Sequence, residues 1–589
     1  MPPAKIAYVM DRALWADTNA RERNFWFAYV EEMLDQMGAT SHELPPDALG
    51  SPDALAGCSS LIVGPVRDAQ ALADHADALA AWVQAGGVLI GLGCEGLDEL
   101  FGIKASTAIR QPIDDFTPNG SFELLHLPVA AQVHSYLHPA QRLLVLSDVR
   151  SATPTQATAV APYFYANGRR SPFSAITQRQ LGRGWAFCFA FDVAKTLWVL
   201  HHGRPVDRDY DGDGYRRTGD ARVIGANEEE VLYADEILLL VQNMIGRRPH
   251  GFVCPSPPVD GQVPDALLYW GGDDEGATDV QLPASEFMAS RGLPYHINVM
   301  PHGGRIHLSR ETAEKVWANG HELAVHYNHT ERNPDWSFNQ ADVEQQAQLF
   351  HQAFGRRSEC SVNHCCTWVG WAEPAKWMAA CGATGDNSRI HSATPPMNPV
   401  NQVGFSFGTS LPYHFYDDWR AGNARIDLVE EPITGYELGH PGDRFDPDVV
   451  HKAIDLAVHY RLALDMFYHP IYIAQHANCR AAIDEALAYI KRRGLRIKHM
   501  GNDALARWWR ERSASSVDDF ASDDGQLAFT ARTDYADGMV VKVPVQNATA
   551  AQCTAAGRAL ASDNSFEFGQ NWIYVVVPKG ETRVQIQLA

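Results

Sequence analysis

The first hundred residues alternate between short apolar runs and stretches with helical periodicity. They follow one another in the order 6–10, 22–36, 61–63, 69–84 and 88–92. Gly38 follows the first helical stretch, and Gly86 and Gly87 follow the second, where glycine commonly ends a helix. A strand–helix–strand order predicts a parallel sheet covered by helices. From about residue 114 to 247 the pattern is irregular and more strand-like, and it ends in an apolar helix.

A proline-rich stretch at 254–264 predicts a linker. After it, a second alternation of predicted helices and strands begins. Predicted helices there end at glycines that precede apolar runs, namely Gly292, Gly320, Gly355, Gly382 and Gly494. This rhythm is typical of a βα barrel, although a doubly wound open sheet would give the same one. The barrel is favoured because polar residues directly follow the apolar runs, as they do where barrel strands converge on one mouth.

The tail of the chain changes to a period of two. Residues 539–544 and 572–578 alternate in this way with turn residues between them, which predicts a small β-sandwich. The sequence therefore predicts an α/β multidomain chain. A parallel α/β sandwich at 1–250 is followed by a linker at 251–264, a βα barrel at 265–512 and a β-sandwich at 515–589.

Charge and composition exclude several classes of protein. The 589 residues include 49 Lys and Arg against 71 Asp and Glu, a net charge of −22, which disfavours nucleic acid or an anionic membrane as partner. No apolar run is long enough to span a bilayer. Ten cysteines without a CxxC pair argue against a disulfide scaffold or a zinc ribbon. No signal peptide is visible; a chain trimmed of its leader would be periplasmic or extracellular and an untrimmed one cytoplasmic, so the sequence leaves the compartment open.

The polar residues that follow the predicted barrel strands carry the chemistry. They are Asp273 and Asp274, His326 and His329, His364, Asp386, and His469. One carboxylate and two imidazoles form a common ligand set for zinc and similar ions. A second carboxylate could act as general base and a separate histidine could protonate a leaving group. These parts predict metal-assisted hydrolysis, whereas the alternative is an aspartate turn with ordinary core histidines.

Two of these segments resemble a known family. Residues 270–276, WGGDDEG, are similar to the first motif of the polysaccharide deacetylase (NodB-homology) superfamily, related to the fourth carbohydrate-esterase family. Residues 286–300 match the helix and strand that follow it, and 320–329 resemble the second, histidine-containing motif. The resemblance implies a NodB-like barrel that removes N-acetyl groups from an amino-sugar carbohydrate with a divalent metal, usually Zn²⁺.

The resemblance also implies a role for each residue. Asp273 would be the catalytic base, and His469 would protonate the departing amine. Asp274, His326 and His329 would bind the metal, although His329 lies one position earlier in the sequence than the family motif has its second histidine.

The motif that normally supplies an arginine is absent, and His364, Trp368 and Trp371 stand in its place. Asp418 and Trp419 approximate a further motif, and we expect all five residues to line the substrate groove. Two alternatives remain open: another C–N hydrolase on the same scaffold, such as a cyclic-imide or formamide hydrolase, or a carbohydrate-binding protein whose catalytic site has decayed.

The N-terminal region carries a weaker motif. Residues 91–96 match GxGxxG, but they follow the third predicted strand and no long helix follows them, so we reject a nucleotide site. Cys94 and Gly96 resemble the nucleophile turn of class I glutamine amidotransferases, although Leu92 replaces its first glycine. The region is similar to the noncatalytic amidotransferase-like domains attached to some carbohydrate-active enzymes, which implies a structural role.

An acidic segment precedes the linker. Asp209, Asp211, Asp213 and Asp220 fit the spacing of a calcium loop, with a glycine at the sixth position for the sharp turn. The segment therefore predicts a separate Ca²⁺ site, and the alternative is an acidic surface loop.

Overall fold

The computed structural model describes residues 5–123, 142–225, 229–391, 403–440, 445–523 and 525–589. In the N-terminal region the strands are β1 (Lys5–Val9), β2 (Ser41–Leu44), β3 (Cys58–Val63), β4 (Val88–Leu92), β5 (Ile103–Ile109), β6 (Gly120–Phe122), β7 (Leu143–Val145), β8 (Val149–Pro154), β9 (Thr158–Tyr165), β10 (Arg170–Leu181) and β11 (Gly184–Phe189). The helices are α1 (Arg12–Ala20), α2 (Val30–Gln36), α3 (Pro52–Ala56), α4 (Ala69–Ala73), α5 (Ala76–Gln84), α6 (Asp98–Phe101), α7 (Val193–His202), α8 (Thr218–Ala221) and α9 (Tyr233–Ile245).

A mixed nine-stranded sheet organises this region, in the order β2-β1-β3-β4-β11-β10-β9-β6-β7. The strands β1 to β4 are parallel and joined through helices, whereas β11, β10 and β9 form an antiparallel meander. Strand β4 is buried along its whole length, as expected for a central strand covered on both faces. The predicted parallel sheet therefore occupies one half of a larger mixed sheet.

The second region has eleven strands and eight α-helices among its described residues, 265–391, 403–440 and 445–515. Its strands are β13 (Ala266–Asp273), β14 (His296–Val299), β15 (Pro301–His302), β16 (Arg305–Ile306), β17 (Glu322–Tyr327), β18 (Cys360–Asn363), β19 (Gly385–Asp386), β20 (Tyr413–Tyr416), β21 (Arg425–Glu430), β22 (Ala463–Phe467) and β23 (Ile497–Met500). Its helices are α10 (Gln281–Ser290), α11 (Arg310–Ala318), α12 (Gln340–Phe354), α13 (Glu373–Ala380), α14 (Pro447–Tyr460), α15 (Pro470–Gln475), α16 (Ala477–Arg493) and α17 (Asn502–Ala514).

These strands form a barrel-like sheet in the order β20-β21-β19-β18-β17-β14-β13-β22, with β23 also paired to β13. The strands from β21 through β22 run parallel, and β20 is antiparallel to β21. Single bridges from Ile433 to Ile390 and from Tyr436 to Phe467 connect the two ends of this order. The carboxyl ends of β13, β17, β18 and β22 therefore face one common mouth.

The last part of the chain is all-β. Its strands are β24 (Ser516–Asp523), β25 (Gln526–Thr533), β26 (Met539–Val545), β27 (Ala550–Ala555), β28 (Arg558–Ala559), β29 (Ser562–Glu567), β30 (Gln570–Val577) and β31 (Gly580–Leu588). They form two antiparallel sheets around a separate apolar core. The predicted linker contributes to one of them, because β12 (Phe252–Val253) pairs with β26.

The structure confirms a mixed α/β chain with several sheets. A continuous apolar core joins the N-terminal sheet to the barrel. At its centre Trp198 of α7 stacks on Tyr29 and meets Trp371 and Tyr416 of the barrel at ring-centroid distances of 6.3 and 5.6 Å. Throughout the described ranges, no helix is long and apolar enough to cross a membrane.

Candidate active site at the barrel mouth

Asp274 lies at the mouth but both of its oxygens are occupied by N–H donors. Oδ1 accepts hydrogen bonds from the backbone of Gly276 and Met300, both at 2.9 Å, and Oδ2 accepts one at 2.8 Å from Gln281 Nε2. Burial raises the pKa of this carboxyl to about 7. In this arrangement Asp274 fixes the loop after β13 to the loop after β14.

Asp273, Glu275 and His326 face one another. Asp273 Oδ2 lies 3.4 Å from His326 Nε2, and its Oδ1 accepts a hydrogen bond from Asn298 Nδ2 at 3.0 Å. Each of the three side chains offers one ligand atom, and these atoms all lie within 4.8 Å of one another. The chain turns sharply after β13 because Glu275 takes a left-handed conformation with φ 53°. One imidazole and two carboxylates therefore converge at the end of β13.

His326 is fully buried, and neither of its ring nitrogens has a hydrogen-bond partner. Burial holds the pKa of His326 well below its usual range, so the ring is neutral at physiological pH. A buried polar group without a partner is uncommon and requires an explanation. A neutral imidazole with a free lone pair beside two carboxylates has the donor set that binds a divalent transition metal.

Two further histidines contact the carboxylate of Glu275. His364 Nε2 lies 2.9 Å from one carboxylate oxygen and His469 Nε2 lies 3.2 Å from the other. Burial opposes ionisation of Glu275, but these two hydrogen bonds outweigh it and hold its pKa well below its usual range. Burial likewise opposes protonation of His364, yet its contacts with Cys365 and Glu275 raise its pKa to about 10. The mouth therefore keeps an ionised Glu275 between two imidazoles.

Glu437 orients His469. One oxygen of this fully buried carboxylate accepts the backbone N–H of His469 at 2.7 Å and also pairs with the ring Nδ1. Burial opposes charging of His469, but Glu275 and Glu437 raise its pKa well above the usual range. A histidine with Nδ1 on a buried carboxylate and Nε2 toward the mouth is arranged for proton transfer.

His329 does not belong to this group. Its ring stacks on Phe338 with centroids 3.7 Å apart, and burial lowers its pKa to about 3. The resemblance implied that it would bind metal beside His326, but β17 ends at Tyr327 and the chain then turns toward the loop that carries Phe338. The sequence predicted that Asp274, His326 and His329 bind the metal. Among the described residues, the group of possible ligands at the mouth is instead Asp273, Glu275 and His326.

Of the residues predicted to bind substrate, only His364 lies at the mouth. Trp368 and Trp371 are buried, and each indole N–H donates to a backbone carbonyl, of Trp371 and Tyr416 respectively. Both rings belong to the core between the N-terminal region and the barrel, so neither offers a face to a sugar. The prediction that Trp368 and Trp371 line a substrate groove is therefore corrected.

Asp418 and Trp419 also lie at the contact between the two regions. Asp418 begins a short helical turn and accepts the backbone N–H of Arg420 at 2.8 Å. The backbone N–H of Trp419 donates to Asn24 of the N-terminal region at 2.7 Å. These contacts give both residues a structural position instead of the predicted place in a substrate groove.

Two residues of the mouth escaped the sequence reasoning. Glu275 stands inside the quoted motif, but nothing in the sequence shows that a glutamate takes a left-handed conformation. Glu437 also has a positive φ, 50°, and it meets His469 across 32 residues of chain. Non-glycine residues held in this region of φ often mark functional sites.

The acidic segment before the linker forms a loop stabilised by its own backbone. Asp209 accepts hydrogen bonds from the N–H groups of Gly212 at 2.6 Å and Gly214 at 2.7 Å, and Asp213 pairs with Arg217. Asp209, Asp211 and Asp220 keep oxygens within 4.8 Å of one another. The calcium site at this loop stays a prediction.

Cys94, at the position that resembles an amidotransferase nucleophile, is not activated. Its thiol is buried, and burial raises its pKa to about 12. Reactive cysteines have a lowered pKa and an accessible sulfur, so Cys94 behaves as a core residue.

Comparison with known proteins yields only weak structural likeness. No family model matches the chain, and no curated protein matches it. A cold-adapted β-galactosidase from Rahnella sp. R3 is 18% identical over 32% of this chain and 29% of its own, with a TM-score of 0.25. A β-galactosidase from Bacillus circulans sp. alkalophilus is 14% identical over 32% and 28%, with a TM-score of 0.24. An α-L-fucosidase from Paenibacillus thiaminolyticus is 14% identical over 42% and 35%, with a TM-score of 0.25.

These findings correct the family prediction. These three structures are glycoside hydrolases, and no deacetylase or amidotransferase family model matches the chain. Membership of the polysaccharide deacetylase superfamily was therefore a wrong prediction, and so was the N-acetyl hydrolysis that rested on it. The matches cover about a third of each neighbour, and scores this low assign no activity to the chain.

Proposed function

We propose that the barrel mouth is the active site of a hydrolase, in which Asp273, Glu275 and His326 bind one divalent ion such as zinc. The observation that carries the proposal is His326, a buried neutral imidazole with no hydrogen-bond partner that faces two carboxylates. Three protein ligands are typical of catalytic sites, because they leave a position for water or substrate. A bound zinc ion supplies Lewis acidity and lowers the pKa of water to about 7.

The chain's own residues account for the proton transfers. His469 is held by Glu437 so that Nε2 points into the mouth, and its raised pKa favours the protonated ring. A protonated imidazole in this position can donate to the leaving group of a hydrolysed bond. His364, which contacts the other oxygen of Glu275, is likewise protonated near neutral pH and supplies a second donor.

The charge of the mouth indicates the kind of substrate. The carboxylates of Glu275 and Glu437 face the protonated imidazoles of His364 and His469, so the mouth presents charges of both signs and no large excess of either that would select an ionic substrate. An uncharged, hydroxyl-rich compound such as a carbohydrate fits this balance of charges and can hydrogen-bond to the imidazoles. We therefore propose a neutral carbohydrate as substrate class.

A second candidate is hydrolysis of a glycosidic bond by Asp273 and Glu275 without a metal. The specific observation is that the two carboxyls titrate far apart, since burial raises the pKa of Asp273 to about 7 while Glu275 stays ionised. Such a pair divides into an acid and a nucleophile. Their ligand oxygens are at most 4.8 Å apart, closer than the carboxyl separation of about 6.5–9.5 Å in inverting glycosidases, so the pair favours a retaining over an inverting mechanism.

One experiment separates the two candidates. Hydrolysis of a panel of p-nitrophenyl glycosides and esters is measured for the wild type and His326→Asn, each with zinc and after treatment with a chelator. The metal-dependent site predicts that chelation and His326→Asn each lower kcat/KM by at least about 100-fold, equivalent to about 2.7 kcal/mol of transition-state stabilisation. The carboxylate pair predicts activity that resists chelation but is lost in Glu275→Gln. Full activity in all of these variants would refute both assignments.

A further inference from the structure

We propose a second metal site, at the contact between the N-terminal region and the barrel, in which Glu32 and Asp35 of α2 and His414 of β20 bind one zinc ion. The three side chains each offer a ligand atom, and these atoms all lie within 4.8 Å of one another. None of them belongs to the barrel mouth, so the site is independent of the proposed function.

The spacing of the ligand atoms fits a tetrahedral ion. His414 Nδ1 lies 3.3 Å from Glu32 Oε2 and 3.7 Å from Asp35 Oδ2. Two atoms bound to zinc at about 2.0–2.1 Å with tetrahedral angles are about 3.3–3.4 Å apart. Of the two distances from His414, the one to Glu32 matches this value and the one to Asp35 exceeds it by about 0.3–0.4 Å.

His414 is the observation that points to a ligand. Its side chain is 1% exposed, and neither ring nitrogen makes a hydrogen bond, although Nδ1 faces both carboxylates. Glu32 is completely buried, and its Oε2 also has no hydrogen-bond partner. Buried polar atoms normally have a hydrogen-bond partner, and one ion bound between His414 Nδ1 and Glu32 Oε2 would give each of them a partner.

The surroundings hold Glu32 in place without occupying its Oε2, whereas Asp35 Oδ2 also lies 3.5 Å from Arg425 Nη1. Glu32 Oε1 accepts the backbone N–H of His414 at 2.8 Å, which leaves Oε2 toward the imidazole. Ser513 donates to Asp35 Oδ2 at 2.7 Å. The nearby guanidinium of Arg512 donates to four backbone carbonyls, those of Asp35, Gln36, Val253 and Cys254, and to neither carboxylate.

The consequence is a cross-link between regions distant in the chain. Helix α2 belongs to the N-terminal sheet region and β20 to the barrel, and residues 32 and 414 are 382 positions apart. A structural ion that binds only the folded chain stabilises the fold in proportion to its binding free energy.

The test measures the zinc content of the whole chain after a substitution at His326 has removed the proposed metal site of the barrel mouth. Protein carrying His326→Asn is stripped with a chelator, reconstituted with zinc chloride alone, desalted and analysed by mass spectrometry. We expect one equivalent of zinc to remain, to be lost when Glu32→Gln or His414→Gln is added, and to be retained with Glu31→Gln. Glu31 is a matched control because it is the adjacent residue of α2 and its carboxylate accepts from the Tyr8 hydroxyl instead.

A second readout is the thermal midpoint of the same proteins. Zinc should raise Tm in the His326→Asn background and should not do so once Glu32→Gln is added. Glu32→Gln preserves the size of the side chain, so it decides the question if His414→Gln fails to fold. The proposal is overturned if the folded Glu32→Gln protein keeps its zinc, or if His326→Asn protein binds none. Failure of the mouth to bind metal would leave these results unchanged, so the two proposals can fail separately.

Discussion

Removal of the Trp198 ring should destabilise the contact between the N-terminal region and the barrel. Its side chain is fully buried and stacks on Tyr29 with centroids 5.3 Å apart. It also meets Trp26 and two barrel rings, those of Trp371 and Tyr416, edge to face. Truncation of a buried tryptophan to alanine costs about 3–5 kcal/mol, because it loses the transfer free energy and leaves a cavity.

Trp198→Phe should cost much less than Trp198→Ala. The indole N–H has no hydrogen-bond partner, so phenylalanine removes a buried unsatisfied donor whose desolvation costs about 1–3 kcal/mol. This gain offsets part of the lost area, and the aromatic contacts partly remain. We expect a net loss of about 1 kcal/mol or less for Trp198→Phe.

Urea unfolding followed by far-UV circular dichroism measures both effects. The control is Phe566→Ala, whose ring is 70% exposed and whose loss should change the unfolding free energy by less than about 0.5 kcal/mol. In Trp198→Ala we expect the single transition to divide, because the barrel and the N-terminal region lose their shared core. An unfolding curve for Trp198→Ala within about 1 kcal/mol of wild type would refute this account of the contact.

Three further predictions concern single polar groups. Asp274→Asn should lower the free energy of unfolding by about 1–3 kcal/mol in a urea titration, because Oδ2 and Oδ1 lose charge-assisted hydrogen bonds. Burial opposes charging of His296, but the carboxylates of Asp503 and Glu322 raise its pKa to about 9. The stability that this pairing contributes is therefore present below pH 6.5 and should be lost as the pH rises through 9. Thermal melts across this range should show the loss in the wild type and not in His296→Gln. Glu437→Gln should move the alkaline limb of the pH profile of kcat/KM to lower pH, because His469 loses a carboxylate that keeps its ring protonated. If the alkaline limb stays where it is in the wild type, His469 is not the general acid.

The rule that barrel strands end at one mouth was enough to predict that three polar residues lie near one another, while the roles assigned to them stay predictions. Asp273 ends β13, His326 is the penultimate residue of β17, and His469 lies two residues beyond β22. In the structure His326 lies 3.4 Å from Asp273, and His469 contacts Glu275 beside them. Local periodicity locates the ends of the strands, and parallel pairing brings the carboxyl ends to the same side of the sheet. What the sequence could not provide is the backbone conformation of Glu275 or the long-range approach of Glu437.

The errors have equally specific causes. Trp368 and Trp371 were expected at a groove because aromatic rings suit sugars, but their burial depends on an interface between regions that periodicity does not describe. His329 was expected beside His326 because spacing along a motif was transferred without the turn that follows β17. The family resemblance itself rested on short motifs, and short motifs do not determine membership in a family.

The pairing of β12 with β26 has a consequence for how the chain is made. Phe252 pairs with Lys542, so this strand leaves the ribosome 290 residues before its partner does. At about 5–20 residues per second, that interval lasts roughly 15–60 seconds. Throughout this interval the edge of Phe252 and Val253 that pairs with β26 has no partner strand, although the opposite edge already bridges to Ala39. We therefore expect this edge to be a site of chaperone binding during synthesis.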